Sequence, residues 1–391
     1  MRTGTRSTGV RLQKTEYAPP DDEAPTTEMI MSMNTARLRD LGQSLWLDNI
    51  TRDLLDSGTL QRYIDEWSIT GITSNPTIFD EAIRGSAAYD REIRGAADRA
   101  ESDEALFTEL ALDDLRHAAD LLQPVFTASD GVDGWVSMEV SPVLVDDTAG
   151  TVEAATRIFR QAGRRNLFVK IPGTPAGVAA IEESIFNGIP VNVTLLFSTP
   201  QYLAAAGAYL RAIERRVAAG KDPRVASVAS LFASRWDKAV HDLVSPGLRN
   251  RLGIAVAGTT YIAYLDLLRS PSWRKLAALG AKPQRLLWAS TGTKDPEVSD
   301  CLYVEALAAP GTINTMPEKT LAAFADHGNI AGVMPTDGVA ANAVLAEFSR
   351  AGIDIDALAR RLQLEGAQSF TKSWRQLLER VAAKRKGLKQ T

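Results

Sequence analysis

Leu167-Phe168-Val169-Lys170-Ile171-Pro172 is an apolar run that holds one charged side chain, Lys170. A run of that composition fits a strand of a parallel sheet, buried on both faces. A lysine there is costly, because desolvation disfavours the ammonium and pushes its pKa down. A neutral lysine amine is the nucleophile that attacks a carbonyl to make a Schiff base. For an isolated case the commoner reading is an edge strand whose lysine snorkels to water. The surrounding segments reverse that preference.

After a helix-like stretch comes Pro190-Val191-Asn192-Val193-Thr194-Leu195-Leu196-Phe197. Strand side chains alternate between faces, so Asn192 and Thr194 project one way and Val191, Val193 and Leu195 the other. Before Lys170 lies Trp135-Val136-Ser137-Met138-Glu139-Val140-Ser141-Pro142, which ends on a carboxylate. Earlier still are Ser44-Leu45-Trp46-Leu47-Asp48-Asn49 and Gly71-Ile72-Thr73-Ser74-Asn75-Pro76. Each is an apolar strand with a polar residue toward its C-terminal end, just before a helix. In a parallel barrel those ends form the active-site face, where polar residues from several strands converge.

The alternation continues along the chain. Strands are expected near 44–48, 70–74, 134–140, 166–171, 190–196, 224–230, 285–290 and 312–315, with helical patterns between them. Ser198-Thr199-Pro200 supplies a cap and a first-turn proline for the run Tyr202 to Ala219, which Gly220 ends. Gly177 to Phe186 is amphipathic and closes at Asn187-Gly188. Stretches 76–130 and 235–282 are too long for single helices and are expected to hold two or three each. Val339 to Lys384 reads as helical with a basic end, Lys384-Arg385-Lys386, packing over the barrel. The fold class is therefore α/β, a (β/α)8 TIM barrel with additional helices.

Composition bounds the rest. With 391 residues and 45% hydrophobic content the chain can bury a large core in a single domain with insertions. A net charge of −4 with interspersed signs leaves no basic stripe for nucleic acid. One cysteine, Cys301, excludes an internal disulfide and fits a reducing cytoplasm. No apolar window reaches membrane-spanning length. Residues 1–33 are expected to form a disordered tail, with the barrel domain over 34–391; the tail has neither the apolar core of a secretory signal nor the character of a transit peptide. Met29, Met31 and Met33 leave open an upstream start assignment.

Together, Gly71-Ile72-Thr73-Ser74-Asn75-Pro76-Thr77-Ile78-Phe79, the Lys170 strand and Asn192-Val193-Thr194-Leu195-Leu196-Phe197-Ser198 resemble the signature segments of the transaldolase family. The resemblance runs from about Leu41 to the C-terminal helix, and the chain length is similar to the longer bacterial form common in actinobacteria. It implies a pentose phosphate pathway enzyme of the cytoplasm. Such an enzyme moves a dihydroxyacetone unit from sedoheptulose 7-phosphate to glyceraldehyde 3-phosphate, giving erythrose 4-phosphate and fructose 6-phosphate. It needs no metal or organic cofactor, takes small sugar phosphates, and occurs as monomer or homodimer.

The resemblance also assigns roles. Lys170, on the fourth strand, would form the Schiff base. Glu139 would move protons through a water held by Thr194, and Asp48 would take the proton of the substrate's C4 hydroxyl. Asn75, Asn192 and Ser230 would hold the dihydroxyacetone hydroxyls. Arg235 matches the family's phosphate arginine in Ser230-Leu231-Phe232-Ala233-Ser234-Arg235. Shorter relatives carry a second arginine after the seventh strand; here that region reads Trp288-Ala289-Ser290-Thr291-Gly292-Thr293-Lys294, which makes Lys294 the candidate. Phe232 stands where fructose 6-phosphate aldolases have a tyrosine, which favours the transferase over a lyase that releases dihydroxyacetone. A catalytically silent sugar-phosphate binder would have no need of a buried amine.

Blander readings accompany these residues. Asp48 is also placed to cap the helix through Thr51 to Leu55, Glu139 to pair with a surface lysine, and Asn75-Pro76 to mark a turn. Asp146-Asp147 reads as a solvated helix start rather than a metal site. Gly173-Thr174-Pro175-Ala176-Gly177 lacks the Gly-Lys-Ser/Thr of a Walker loop. His117, His241 and His327 have no second ligand at helical or loop spacing.

Overall fold

All eight expected strands form, and every neighbouring pair is parallel. They are β1 Ser44–Asp48, β2 Ile69–Thr73, β3 Trp135–Glu139, β4 Leu167–Pro172, β5 Val191–Leu196, β6 Ser227–Phe232, β7 Gln284–Ala289 and β8 Ile313–Met316. In this computed structural model, which describes residues 27–96 and 99–389, they close in sequence order into a barrel, with β8 returning to β1. The sixth strand starts later than the 224 read from sequence. Pro223 turns the chain there, with the Arg224 amide donating to the Asp222 carboxylate at 2.9 Å, so residues 224–226 are spent on the turn.

Alternation divides the apolar residues into two clusters. One side of the strands, including Leu47, Ile72, Val136, Val169, Val191 and Trp288, packs under the surrounding helices. The other points into the barrel, where Trp46, Trp135, Phe168, Val228, Leu287 and Ile313 pack together. Trp135 stacks on Phe168 at 4.0 Å, and Trp46 lies tilted against Phe168 at 6.2 Å. Gly71 makes room for that layer: a Cβ there would sit 2.4 Å from the Trp46 ring. These residues come early in their strands. The later inward residues, Asp48, Thr73, Glu139, Lys170 and Thr194, therefore stand above an apolar floor, and that placement makes the polar layer a site rather than a channel.

The long connections resolve as expected. Between β2 and β3 lie helices Pro76–Gly85, Asp90–Ala96 and Asp103–Ala128; between β6 and β7 lie Ser234–Val240, Leu252–Arg269 and Pro271–Ala278. Ser198 caps Thr199–Ala218, and Asp147 caps Thr148–Ala162 by accepting from the Gly150 amide at 2.9 Å. The first helix, Thr27–Asp40, reaches back past the expected tail boundary at 33; its Asn34 amide donates to the Ala325 carbonyl at 2.9 Å and Leu38 is fully buried. The remainder of the expected tail, 1–26, lies outside the described residues.

The C-terminal segment is two helices, Val339–Arg350 and Ile355–Lys389, parted at Gly352, which takes the left-handed φ of 87° that glycine adopts freely. The second crosses the mouth of the barrel. Arg380 pairs with Asp80 at 2.5 Å and Lys384 with Asp90 at 2.6 Å, which fastens it to the helices after β2.

Candidate active site

A cleft of about 540 Å³ opens at the C-terminal ends of the strands, beneath the helix Ile355–Lys389. Asp48, Asn75, Lys170, Thr194, Ser230, Phe232, Arg235 and Lys294 all line it. Glu139 and Asn192 lie below its surface, both buried. The fold thus gathers every residue named from sequence, from seven connections of the barrel, around one amine.

Register explains the centre. Glu139, Lys170 and Asn192 are successive Cα partners across β3, β4 and β5, so their side chains rise together from the barrel wall. Lys170 is no edge-strand residue: its side chain is 7% exposed, which excludes snorkelling. Its Nζ donates to the Ser74 carbonyl at 3.1 Å and lies 3.8 Å from Glu139 Oε2. The Phe370 ring, on the C-terminal helix, stands 5.6 Å away.

Two carboxyl groups face this amine, and burial holds both above the usual carboxylate range. Burial pushes the Glu139 carboxyl up to about 7, opposed by the Lys170 ammonium and reinforced by the charge of Asp48. Neither Glu139 oxygen has a hydrogen-bond partner among the described residues, nor does Thr194 Oγ1. Unsatisfied buried polar atoms are costly, so these three oxygens call for a further partner. Asp48 also titrates above the usual carboxylate range through burial, with the Lys170 charge, the Thr73 hydrogen bond and the Lys294 charge opposing. Thr73 donates to Asp48 Oδ1 at 2.8 Å, and its hydroxyl lies 2.7 Å from that of Thr315. Asp48 is not a helix cap: Thr51 caps Arg52–Asp56, accepting from the Leu54 amide at 3.1 Å.

The polar side-chain contacts refine three expectations. Asn75 does cap the helix Pro76–Gly85, its Oδ1 accepting from the amides of Thr77 and Ile78 at 3.1 and 3.2 Å, so only its amide group is left to donate into the cleft. Asn192 is engaged at both ends. Its Nδ2 donates to Ser137 Oγ at 3.1 Å, and its Oδ1 accepts from Ser230 Oγ at 2.7 Å. Ser230, having given its proton to Asn192, meets a ligand as an acceptor.

Arg235, also lining the cleft, lies over the rings of Phe232 and Phe370 at 5.1 and 5.8 Å. It has no ion-pair or hydrogen-bond partner among the described residues, and burial lowers its guanidinium from the usual range. A half-buried, unpaired guanidinium within about 6 Å of two aromatic rings is arranged for an anion. Lys294 is exposed on the loop after β7, at the same cleft.

Sequence reading passed over two features. Phe370 lies two hundred residues beyond Lys170, on a helix whose pattern reports only packing. Leu195, next to Thr194, takes a left-handed φ of 58°, uncommon for a side chain of its size, and the β5–β6 register shifts there. Gln363 of the C-terminal helix donates to the carbonyls of Leu195 and Gly173, each at 3.0 Å, holding that bend in place.

Known proteins resemble this chain in sequence over most of its length. Residues 45–381 match the family model described as Transaldolase/Fructose-6-phosphate aldolase. The chain belongs to that family. It is 48% identical to a transaldolase of Thiobacillus denitrificans, over 87% of this chain and 97% of the relative. A Thermobifida fusca transaldolase is 44% identical over 88% and 96% of the two chains. A protein named transaldolase 2 from Nostoc punctiforme is 40% identical over 90% and 97%. The family match spans all eight strands except the first residue of β1. No helix among the described residues is long and apolar enough to cross a membrane.

Proposed function

We propose that the chain is a transaldolase working through a Schiff base on Lys170. One observation carries the reading: a buried lysine on the fourth strand faces two carboxyl groups of raised pKa, one of them with both oxygens unpartnered. The Lys170 amine adds to the ketose C2 carbonyl after losing a proton to Glu139. The carbinolamine then expels its hydroxyl as water, with Glu139 returning the proton through a water shared with Thr194. The resulting iminium accepts the electron pair of the C3–C4 bond while Asp48 takes the proton of the C4 hydroxyl. An aldose departs and an enamine of dihydroxyacetone stays on the lysine. Attack on the acceptor aldehyde reverses these transfers, and hydrolysis of the new iminium frees the product.

Sedoheptulose 7-phosphate and glyceraldehyde 3-phosphate suit the cleft as donor and acceptor because one wall carries the Lys170 amine and the lining also offers Arg235 and Lys294 as cations for phosphate. Asn75, Asn192 and Ser230 hold the dihydroxyacetone hydroxyls. Asn192 supports Ser230 from beneath. We place the enzyme in the cytoplasm, as a monomer or homodimer.

Incubation with fructose 6-phosphate, with and without erythrose 4-phosphate, tests the class of reaction. Turnover that requires the aldose acceptor supports the transferase. Release of free dihydroxyacetone without acceptor would make it a lyase, and binding without turnover in either case would make it a silent binder.

A further inference from the structure

The fold brings together a second set of side chains that the activity does not use. His327, at the end of the helix Glu318–His327, meets Asp300 and Cys301, which precede the helix Leu302–Ala306. One ligand atom from each lies within 4.8 Å of the others. Their separation along the chain hides them: His327 has no partner at helical or loop spacing, and only the packing of the segments after β7 and β8 joins them.

We propose that Asp300, Cys301 and His327 form a zinc-binding site, with the fourth position open to water. The donor set is a carboxylate, a thiolate and an imidazole, the mixture that Zn²⁺ accepts in tetrahedral sites. The spacing fits. Tetrahedral bonds of ordinary zinc lengths put N and O about 3.4 Å apart and N and S about 3.6 Å apart. Here His327 Nε2 lies 2.9 Å from Asp300 Oδ1 and 3.9 Å from Cys301 Sγ. Small shifts of exposed side chains close both differences.

The second ring nitrogen supplies an independent reason. His327 Nδ1 lies 3.0 Å from Asp326 Oδ2. A carboxylate on the far nitrogen is the usual partner of a zinc-bound histidine; it fixes the ring and leaves the other nitrogen to the metal. Glu305 stands one helical turn beyond Cys301, its amide donating to the Cys301 carbonyl at 3.0 Å, and adds a further negative charge beside the set. Cys301 is buried while Asp300 and His327 are half exposed, which gives an ion a route in and keeps the sulfur sheltered. The ion would tie the loop carrying Lys294 to the helix after β8.

Cobalt binding to the tag-free, reduced, metal-stripped full chain tests this directly. Cys301 is the chain's single cysteine, so a thiolate-to-cobalt charge-transfer band has one source. One equivalent of CoCl2 is expected to produce the band, and ZnCl2 to displace it and raise Tm. Cys301→Ser should abolish the band and one-equivalent zinc binding. Asp326→Asn should keep the band but weaken affinity about 10–100-fold. An absent band in the wild type, or zinc affinity unchanged in both Cys301→Ser and His327→Ala, would overturn the site and leave His327 as an imidazole bridging two carboxylates.

Discussion

Lys170 and Glu139 are Cα partners on adjacent strands, yet the amine stops 3.8 Å from the carboxylate and donates instead to the Ser74 carbonyl. The pair is close enough to exchange a proton through one intervening group and too far apart to form a tight ion pair. A purely structural salt bridge would have closed that distance, because a buried charge pair is stabilising only with good hydrogen-bonding geometry.

Glu139→Gln should separate catalysis from stability. Turnover is expected to fall ~10²–10⁴-fold, the range of a lost acid–base group. Stability should move the other way. With its pKa raised to about 7, Glu139 in the folded chain keeps its proton up to about that pH, while the unfolded chain loses it from about pH 4.5 upward. The folded state therefore loses stability as pH rises between those values. Tm of Glu139→Gln should exceed wild type at pH 8 by more than at pH 5. A variant less stable than wild type at pH 8 would contradict the burial cost assigned to this carboxylate.

Asp48→Ala is expected to lower kcat by ~10²–10⁴-fold with little change in helix content by circular dichroism. Thr51 caps the following helix, so Asp48 has no capping duty to lose. Near-normal turnover would remove Asp48 from the proton transfers.

Ser230→Ala should weaken use of fructose 6-phosphate by roughly 1–3 kcal/mol, the cost of an unpaired buried polar partner. Its hydroxyl is both the donor to Asn192 and an acceptor for substrate, so kcat/KM is the quantity to follow. An unchanged kcat/KM for this donor would refute the contact.

Arg235→Ala and Lys294→Ala should each raise KM for phosphorylated sugars while sparing fructose. The larger effect is expected at Arg235, whose guanidinium is half-buried and unpaired, because an exposed lysine acts through more water. If Lys294→Ala leaves the preference for phosphorylated substrates unchanged, Arg235 is the anchor without it.

Much of this site was legible because barrel strands write their chemistry locally. Lys170 stands out in an apolar run, Asp48 and Glu139 end their strands, and Asn192 and Thr194 share one face of theirs. Period-two alternation and parallel pairing then bring them together without further information. What sequence could not give was which hydrogen bond each group makes. Asn192 looks like a ligand donor and also bonds Ser137 and Ser230, one contact at each end of its amide, with a second N–H left over. Asn75 divides its side chain between a helix cap and the cleft. Phe370 and Gln363 were invisible because they reach the site through tertiary packing of one long helix, and their spacing matches any amphipathic face.

Borohydride reduction in the presence of fructose 6-phosphate, followed by peptide mapping, tests the central assignment most directly. A reduced dihydroxyacetone adduct is expected on the peptide containing Lys170, and Lys170→Met should lose both adduct and turnover while staying folded. An adduct on any other lysine, or none on a chain that still turns over, would contradict the Schiff-base role of Lys170.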